Sequence, residues 1–253
     1  MCGIVGYIGP KEAVSILVEG LEKLEYRGYD SAGVAVASNG SIEVLKKEGK
    51  LRALKEELNG QNYSANVGIG HTRWATHGRP SDENAHPHTD CTGKIAVVHN
   101  GIIENYNLIK KHLEGRGIPF SSQTDTEVLA NLIEHLYLEG DLTAEQAITL
   151  ALNRVEGAYG LVIICVKEPD RLFAARKGSP LVIGVGEGEN FIASDATPIV
   201  EHTQRVIYLK DDDLAIVLKN ELVLKSIRPG RREPEVKEVD LKIGEIDKEG
   251  FPH

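Results

Sequence analysis

Apolar residues recur along this chain with two different spacings, and the change from one to the other divides it. Residues 3–8 (GIVGYI) form a short apolar run closed by Gly9-Pro10, which predicts a buried strand ending in a turn. From 11 to 24 the positions Ala13, Val14, Leu17, Val18, Leu21 and Leu24 fall at helical spacing, so an amphipathic helix follows the first strand. Two strands at 33–38 and 42–47 meet at Asn39-Gly40, the dipeptide favoured by a tight hairpin. A short helix near 51–58 and a strand at 66–73 come next, and then 74–94 loses all periodicity. A stretch that long without pattern is either functional or disordered. The strand at 94–100 leads to a helix at 105–114, a clearer one at 125–139 capped by Thr124 or Asp125, and a third at 143–155.

Beyond Gly157 the period becomes that of strands alone. Seven segments, 158–167, 171–176, 180–186, 190–194, 205–209, 213–219 and 221–226, are separated by short polar turns. Strands joined so briefly pair antiparallel, because a parallel pair needs a long crossover. The pattern therefore predicts an α+β fold in which helices cover two antiparallel sheets. Residues 229–253, charged and proline-containing, read as an extended exit segment.

Composition narrows the function. With 253 residues, 41% of them hydrophobic, the chain can bury a sizeable core. A formal net charge of -9 argues against nucleic-acid binding. No apolar run is long enough to span a membrane and no signal peptide opens the chain, so no membrane association is expected and the expected location is cytoplasmic. Cys2, Cys91 and Cys165 are far apart and include no CxxC pair, which indicates neither a disulfide framework nor a zinc-thiolate site.

The first candidate for chemistry is Cys2. Removal of Met1 would leave a cysteine with a free α-amino group, placing a thiol of reference pKa about 8.5 beside a base of about 7.7–8.0 on one residue. The stretch HTRWATHG (71–78) offers Arg73, whose planar fork fits a carboxylate, and Trp74, which can close over a small ligand. In VVHNGIIEN (97–105), Asn100 and Gly101 combine a side-chain amide and a backbone N–H suited to an oxyanion. Asp125 in SQTDTE (122–127) could face a substrate ammonium group. Each has an ordinary alternative: a surface salt bridge beside a core tryptophan, an Asn-Gly turn, a helix cap. His71 or His77 could instead pair with Cys2 as a Cys-His dyad. A metal site at His71, His77, His86 and His88 lacks the helical spacing of known ligand motifs. Cys91 reads as a surface thiol and Cys165 as a core residue.

Taken together, MCGIVGYIG, LEYRGYDSAG, HTRWATHG, NAHPH, VVHNGIIEN, TDTE, GAYG and SPLVIGVGEGENFIASD resemble the glutaminase domains of the glutamine–fructose-6-phosphate aminotransferase family, which are class II, N-terminal-nucleophile amidotransferases. The resemblance implies a four-layer αββα sandwich over residues 1–240, with 241–253 leading toward a sugar isomerase half that residues 196–253 cannot supply. The chain is thus expected to be the glutaminase portion alone. It further implies that L-glutamine is hydrolysed to glutamate and ammonia, which in the full-length homo-oligomeric enzyme would convert fructose 6-phosphate to glucosamine 6-phosphate. No metal or cofactor is implied. The implied roles are Cys2 as nucleophile and amine base, Asn100 and Gly101 as oxyanion hole, Arg73 on the glutamine α-carboxylate and Asp125 on its α-ammonium. Trp74 would be a gate, Thr76 and His77 would line the pocket, and Arg27 would support it. Two other readings stand beside this one: another class II amidotransferase, and a non-catalytic glutamine-sensing module.

Overall fold

Both spacings in the sequence resolve into sheets with helices outside them. The computed structural model describes residues 2–28, 30–61, 63–75, 78–228 and 237–238, with the backbone alone at 27, 237 and 238. Within these residues two antiparallel sheets, of eight and six strands, lie face to face.

At the centre of the larger sheet is β1 (Gly3–Ile8), paired with β4 (Val67–Arg73) on one side and β10 (Asn190–Ala193) on the other. Outward from β4 come β2 (Ser31–Ser38) and β3 (Ser41–Glu48), and outward from β10 come β9 (Val182–Val185), β11 (Arg205–Tyr208) and the two-residue β14 (Lys237–Glu238). The smaller sheet runs β5 (His88–Thr89), β6 (Ile95–Ile103), β7 (Gly157–Cys165), β8 (Arg171–Lys177), β12 (Asp213–Leu218) and β13 (Leu222–Ser226) in that spatial order.

Side chains alternate across each strand, so every sheet presents one face to the other sheet and one to a helical layer. Ile4, Ile69, Ile183 and Ile192 of the larger sheet meet Val98, Val162, Ile164 and Val217 of the smaller one in the middle layer. On the outer face of the larger sheet, Val5, Tyr7, Val34 and Phe191 pack under α1 (Ala13–Glu22) and α2 (Leu51–Leu58) through Leu17, Leu21 and Leu54. On the outer face of the smaller sheet, Val97, Leu161, Ile163 and Phe173 pack under α3 (Tyr106–Glu114), α4 (Asp125–Glu139) and α5 (Ala144–Leu152). The order of layers is therefore αββα, as expected. Cys165 lies in the outer core of the smaller sheet, whereas Cys91 is exposed.

Three segments differ from the sequence reading. Strand β6 does not stop at Asn100 but pairs with β7 as far as Ile103↔Gly157. It can do so because Gly101 adopts φ +135, a conformation closed to side-chain-bearing residues, and a Cβ there would overlap the Ala158 carbonyl oxygen. Within the aperiodic stretch, residues 78–94 contain β5 and form an ordered wall: Lys46 Nζ donates to the carbonyls of Glu83 and Ala85 at 3.1 and 2.9 Å, and Asn84 links Arg79 O to the backbone N–H of Gln123. Finally, part of the exit segment adds the edge strand β14 beside β11. The proposed boundary at 240/241 and the segment 241–253 lie outside the described residues.

Candidate active site

Register brings the first residue of interest to the second. The pairing Gly3↔Thr72 between β1 and β4 sets Cys2 beside the end of β4, where Arg73 and Trp74 follow. There the backbone N–H of Trp74 donates to Cys2 Sγ at 3.2 Å, and the thiol lies 3.5 Å from the Trp74 carbonyl. The turn after β4 is anchored by Asp30, which takes the Ala75 N–H on its carboxylate and donates its own N–H to Arg73 O at 3.1 Å.

Strand β6 approaches from the other sheet. Asn100 Nδ2 donates to the Cys2 carbonyl at 3.1 Å, so the side chain of the smaller sheet reaches the start of the larger one. Helix α4 supplies the third side. Thr124 is its N-cap, accepting the Glu127 N–H, while Glu127 holds the preceding turn through the N–H and hydroxyl groups of Ser121 and Ser122. Asp125 is thereby free of capping duty. Its Oδ2 accepts the Ile103 N–H at 2.8 Å, which fixes the carboxylate at the helix start.

Cys2, Arg73, Trp74, Asn100, Gly101 and Asp125 line one cavity of about 370 Å³. Four stretches of chain thus converge on a space of the size that small ligands occupy. Trp74 is 50% exposed at its mouth, whereas Arg73 is buried. A guanidinium and a carboxylate in one small cavity suit a ligand carrying both a carboxylate and an ammonium group. A larger groove of about 880 Å³ between α1 and α2 contains none of these residues.

Burial governs the charge states. It pushes the Cys2 thiol above its ordinary range against the opposing Trp74 N–H, so the thiol needs a base at neutral pH. It also lowers the Arg73 guanidinium. Burial takes His71 down to about 3 and drives His86 and His88 well below their usual range, which keeps all three neutral.

Of the residues singled out in the sequence, Thr76 and His77 lie outside the described residues, as do Met1 and the side chain of Arg27. The Cys-His dyad through His71 is not formed, because His71 Nε2 meets Asn100 Oδ1 and the His99 carbonyl and its Nδ1 has no partner among the described residues. His71, His86 and His88 instead pack in succession behind Asn100, the first pair tilted with ring centroids 4.2 Å apart and the second edge-on at 4.8 Å. Sequence reasoning passed over His99, Thr124, Thr126, Ser179 and Pro180, which also line the cavity. Their only signal was membership of stretches such as TDTE and SPLV that the resemblance had already drawn in.

Comparison with known proteins bears on this arrangement. Residues 71–201, about half of the chain, match the family described as glutamine amidotransferase domain. The chain is 52% identical to a glutamine–fructose-6-phosphate aminotransferase (isomerizing) of Chlorobaculum tepidum and 49% identical to one of Pyrococcus horikoshii, with 100% of this chain covered in both cases. It spans 42% of the length of each. Among solved structures, glutamine phosphoribosylpyrophosphate amidotransferase from B. subtilis superimposes with a TM-score of 0.77 at 27% identity, over 90% of this chain and 50% of that one. A class II glutamine aminotransferase domain protein from Silicibacter pomeroyi, at 14% identity and a TM-score of 0.59, shares the fold.

Proposed function

The chain belongs to the glutamine amidotransferase domain family, and from that premise we propose that it hydrolyses L-glutamine to L-glutamate and ammonia with Cys2 as nucleophile. The observation that carries this reading is the convergence of Cys2, Arg73, Asn100, Gly101 and Asp125 on one cavity.

Arg73 takes the α-carboxylate and Asp125 the α-ammonium, which leaves the side-chain amide directed toward Cys2. The α-amino group of Cys2, free once Met1 is removed, accepts the thiol proton that burial would otherwise retain. Sγ attacks the amide carbon and the carbonyl electron pair moves to oxygen, where Asn100 Nδ2 and the Gly101 N–H receive it. Collapse of this intermediate breaks the C–N bond, and the nitrogen leaves as ammonia with the proton held by the amine. Water, deprotonated by the same amine, then cleaves the thioester and restores the thiol. The net change is glutamine plus water to glutamate plus ammonia. Trp74, half-exposed at the mouth, gates it; to Thr76 and His77 the family resemblance assigns contact with glutamine, and to Arg27 a supporting role.

The relatives' names and the 42% span extend the proposal. In the full-length, homo-oligomeric protein a sugar isomerase half would bind fructose 6-phosphate and consume the ammonia. Three free cysteines fit a reducing cytoplasm, and among the described residues no helix is long and apolar enough to cross a membrane. The test is ammonia and glutamate release from glutamine by the purified chain, with Cys2→Ala as control. Equal release by both proteins, or none from the unaltered chain, would refute the proposal.

A further inference from the structure

Behind the cavity wall, His71 is fully enclosed, at 0% exposure. Its Nε2 lies 3.0 Å from Asn100 Oδ1, 3.1 Å from the His99 carbonyl oxygen and 3.2 Å from His86 Nδ1. Two carbonyl oxygens accept only, so they require a proton on Nε2. The opposite nitrogen agrees: Nδ1 is buried with no hydrogen-bond partner among the described residues, and an N–H left unpaired there would carry the larger penalty. His71 is therefore neutral with its single proton on Nε2, and His86 Nδ1 is a third acceptor around that proton.

The consequence falls on Asn100. A side-chain amide fits its site in two orientations that exchange a donor for an acceptor. Here Oδ1 receives the His71 N–H, while Nδ2 donates to the Cys2 carbonyl at 3.1 Å. The reversed amide would oppose donor to donor at His71 and acceptor to acceptor at Cys2. One orientation alone is left, with the amide nitrogen on the side of Cys2.

We propose that His71 is a positioning residue for the oxyanion donor: its Nε2–H holds Asn100 Oδ1 and so keeps Asn100 Nδ2 directed toward the oxygen that gains charge beside Cys2. This rests on the glutamine-hydrolysis reading, in which Asn100 is that donor. It differs from a Cys-His dyad, because the His71 proton is committed to Asn100 and the imidazole moves no proton during the reaction.

The experiment is a double-mutant cycle on ammonia release, with kcat expressed per site labelled by an electrophilic glutamine analogue so that only folded, binding-competent protein is counted. His71→Leu removes the donor and should lower kcat between about tenfold and the hundred- to thousandfold cost of deleting an oxyanion donor outright, with KM for glutamine little changed. His71→Gln, whose amide nitrogen can take the place of Nε2, should recover most of the loss. In an Asn100→Ala background, His71→Leu should cost nothing further. If His71→Leu does not fold, His71→Asn, whose amide matches Nδ1 rather than Nε2, takes its place in the cycle with the same expectation. Multiplicative losses in the double variant, or a Gln variant no better than the donor-less one, would overturn the positioning role. No ammonia from the unaltered chain would instead overturn the hydrolysis reading on which it rests.

Discussion

Cys2 Sγ accepts the backbone N–H of Trp74 at 3.2 Å, a contact between residues brought together by the pairing of β1 with β4. The donor is part of the main chain, so no side-chain substitution removes it, and it favours the thiolate that burial opposes. Replacing Cys2 by Ser keeps the size of the side chain and loses the ionisable thiol. Ammonia release should fall by at least about a thousandfold while the melting temperature stays within a few degrees, because Cys2 is only partly buried. Activity within tenfold of the unaltered chain would place the nucleophile elsewhere.

Asp125 holds both a structural bond and the proposed ammonium contact. Asp125→Asn retains an oxygen to accept the Ile103 N–H, observed at 2.8 Å, but loses the charge. Loss of a charge-assisted hydrogen bond worth about 1.5–3 kcal/mol should raise KM for glutamine roughly ten- to a hundredfold with little change in stability. A KM shift below threefold in steady-state kinetics would remove Asp125 from substrate binding.

Gly101 combines φ +135 with a Cβ direction blocked by the Ala158 carbonyl. Gly101→Ala should therefore destabilise the chain by about 2 kcal/mol or more and lower kcat, since β6 must shift to relieve the overlap and carries Asn100 with it. Denaturant unfolding and ammonia release check the two effects. Unchanged stability would show that the β6–β7 ladder yields more easily than this geometry implies.

How legible this was in the sequence depended on whether the chemistry belonged to one residue or to a register. Cys2, Arg73, Asn100, Gly101 and Asp125 could be picked out as candidates because each residue type suits one step of the chemistry, but it was the family resemblance of the surrounding stretches that set them above their ordinary alternatives; the cavity gathers all five. The layers were legible because short turns after Gly157 force antiparallel pairing. The position of His71 against Asn100 was not, because it depends on how β4 of one sheet faces β6 of the other, which no local pattern encodes. The order in the aperiodic stretch was hidden for a similar reason. Lys46 looks like a solvated strand residue until its Nζ is seen on the carbonyls of Glu83 and Ala85.

The buried histidines set the response to acid. His71, His86 and His88 remain neutral when folded, whereas an unfolded histidine takes up a proton near pH 6.5. Below that pH the unfolded chain holds more protons than the folded one, so stability is full above about pH 6.5 and is lost as pH falls. Each histidine adds a slope approaching about 1.4 kcal/mol per pH unit once the pH is well below 6.5. Unfolding free energies at pH 7.5, 6.5 and 5.5 should therefore decline with growing steepness, and His71→Gln should flatten the decline. Constant stability across that range would mean that these histidines are protonated in the folded protein.

The central claim is that a processed Cys2 attacks the side-chain carbonyl of glutamine. Its most direct test is an intact-mass spectrum of the purified chain after treatment with an electrophilic glutamine analogue, followed by peptide mapping. The account predicts a chain lacking Met1 and carrying a single adduct on Cys2, prevented by excess glutamine. A processed chain with Cys2 unmodified, or an adduct confined to Cys91 or Cys165, would contradict it.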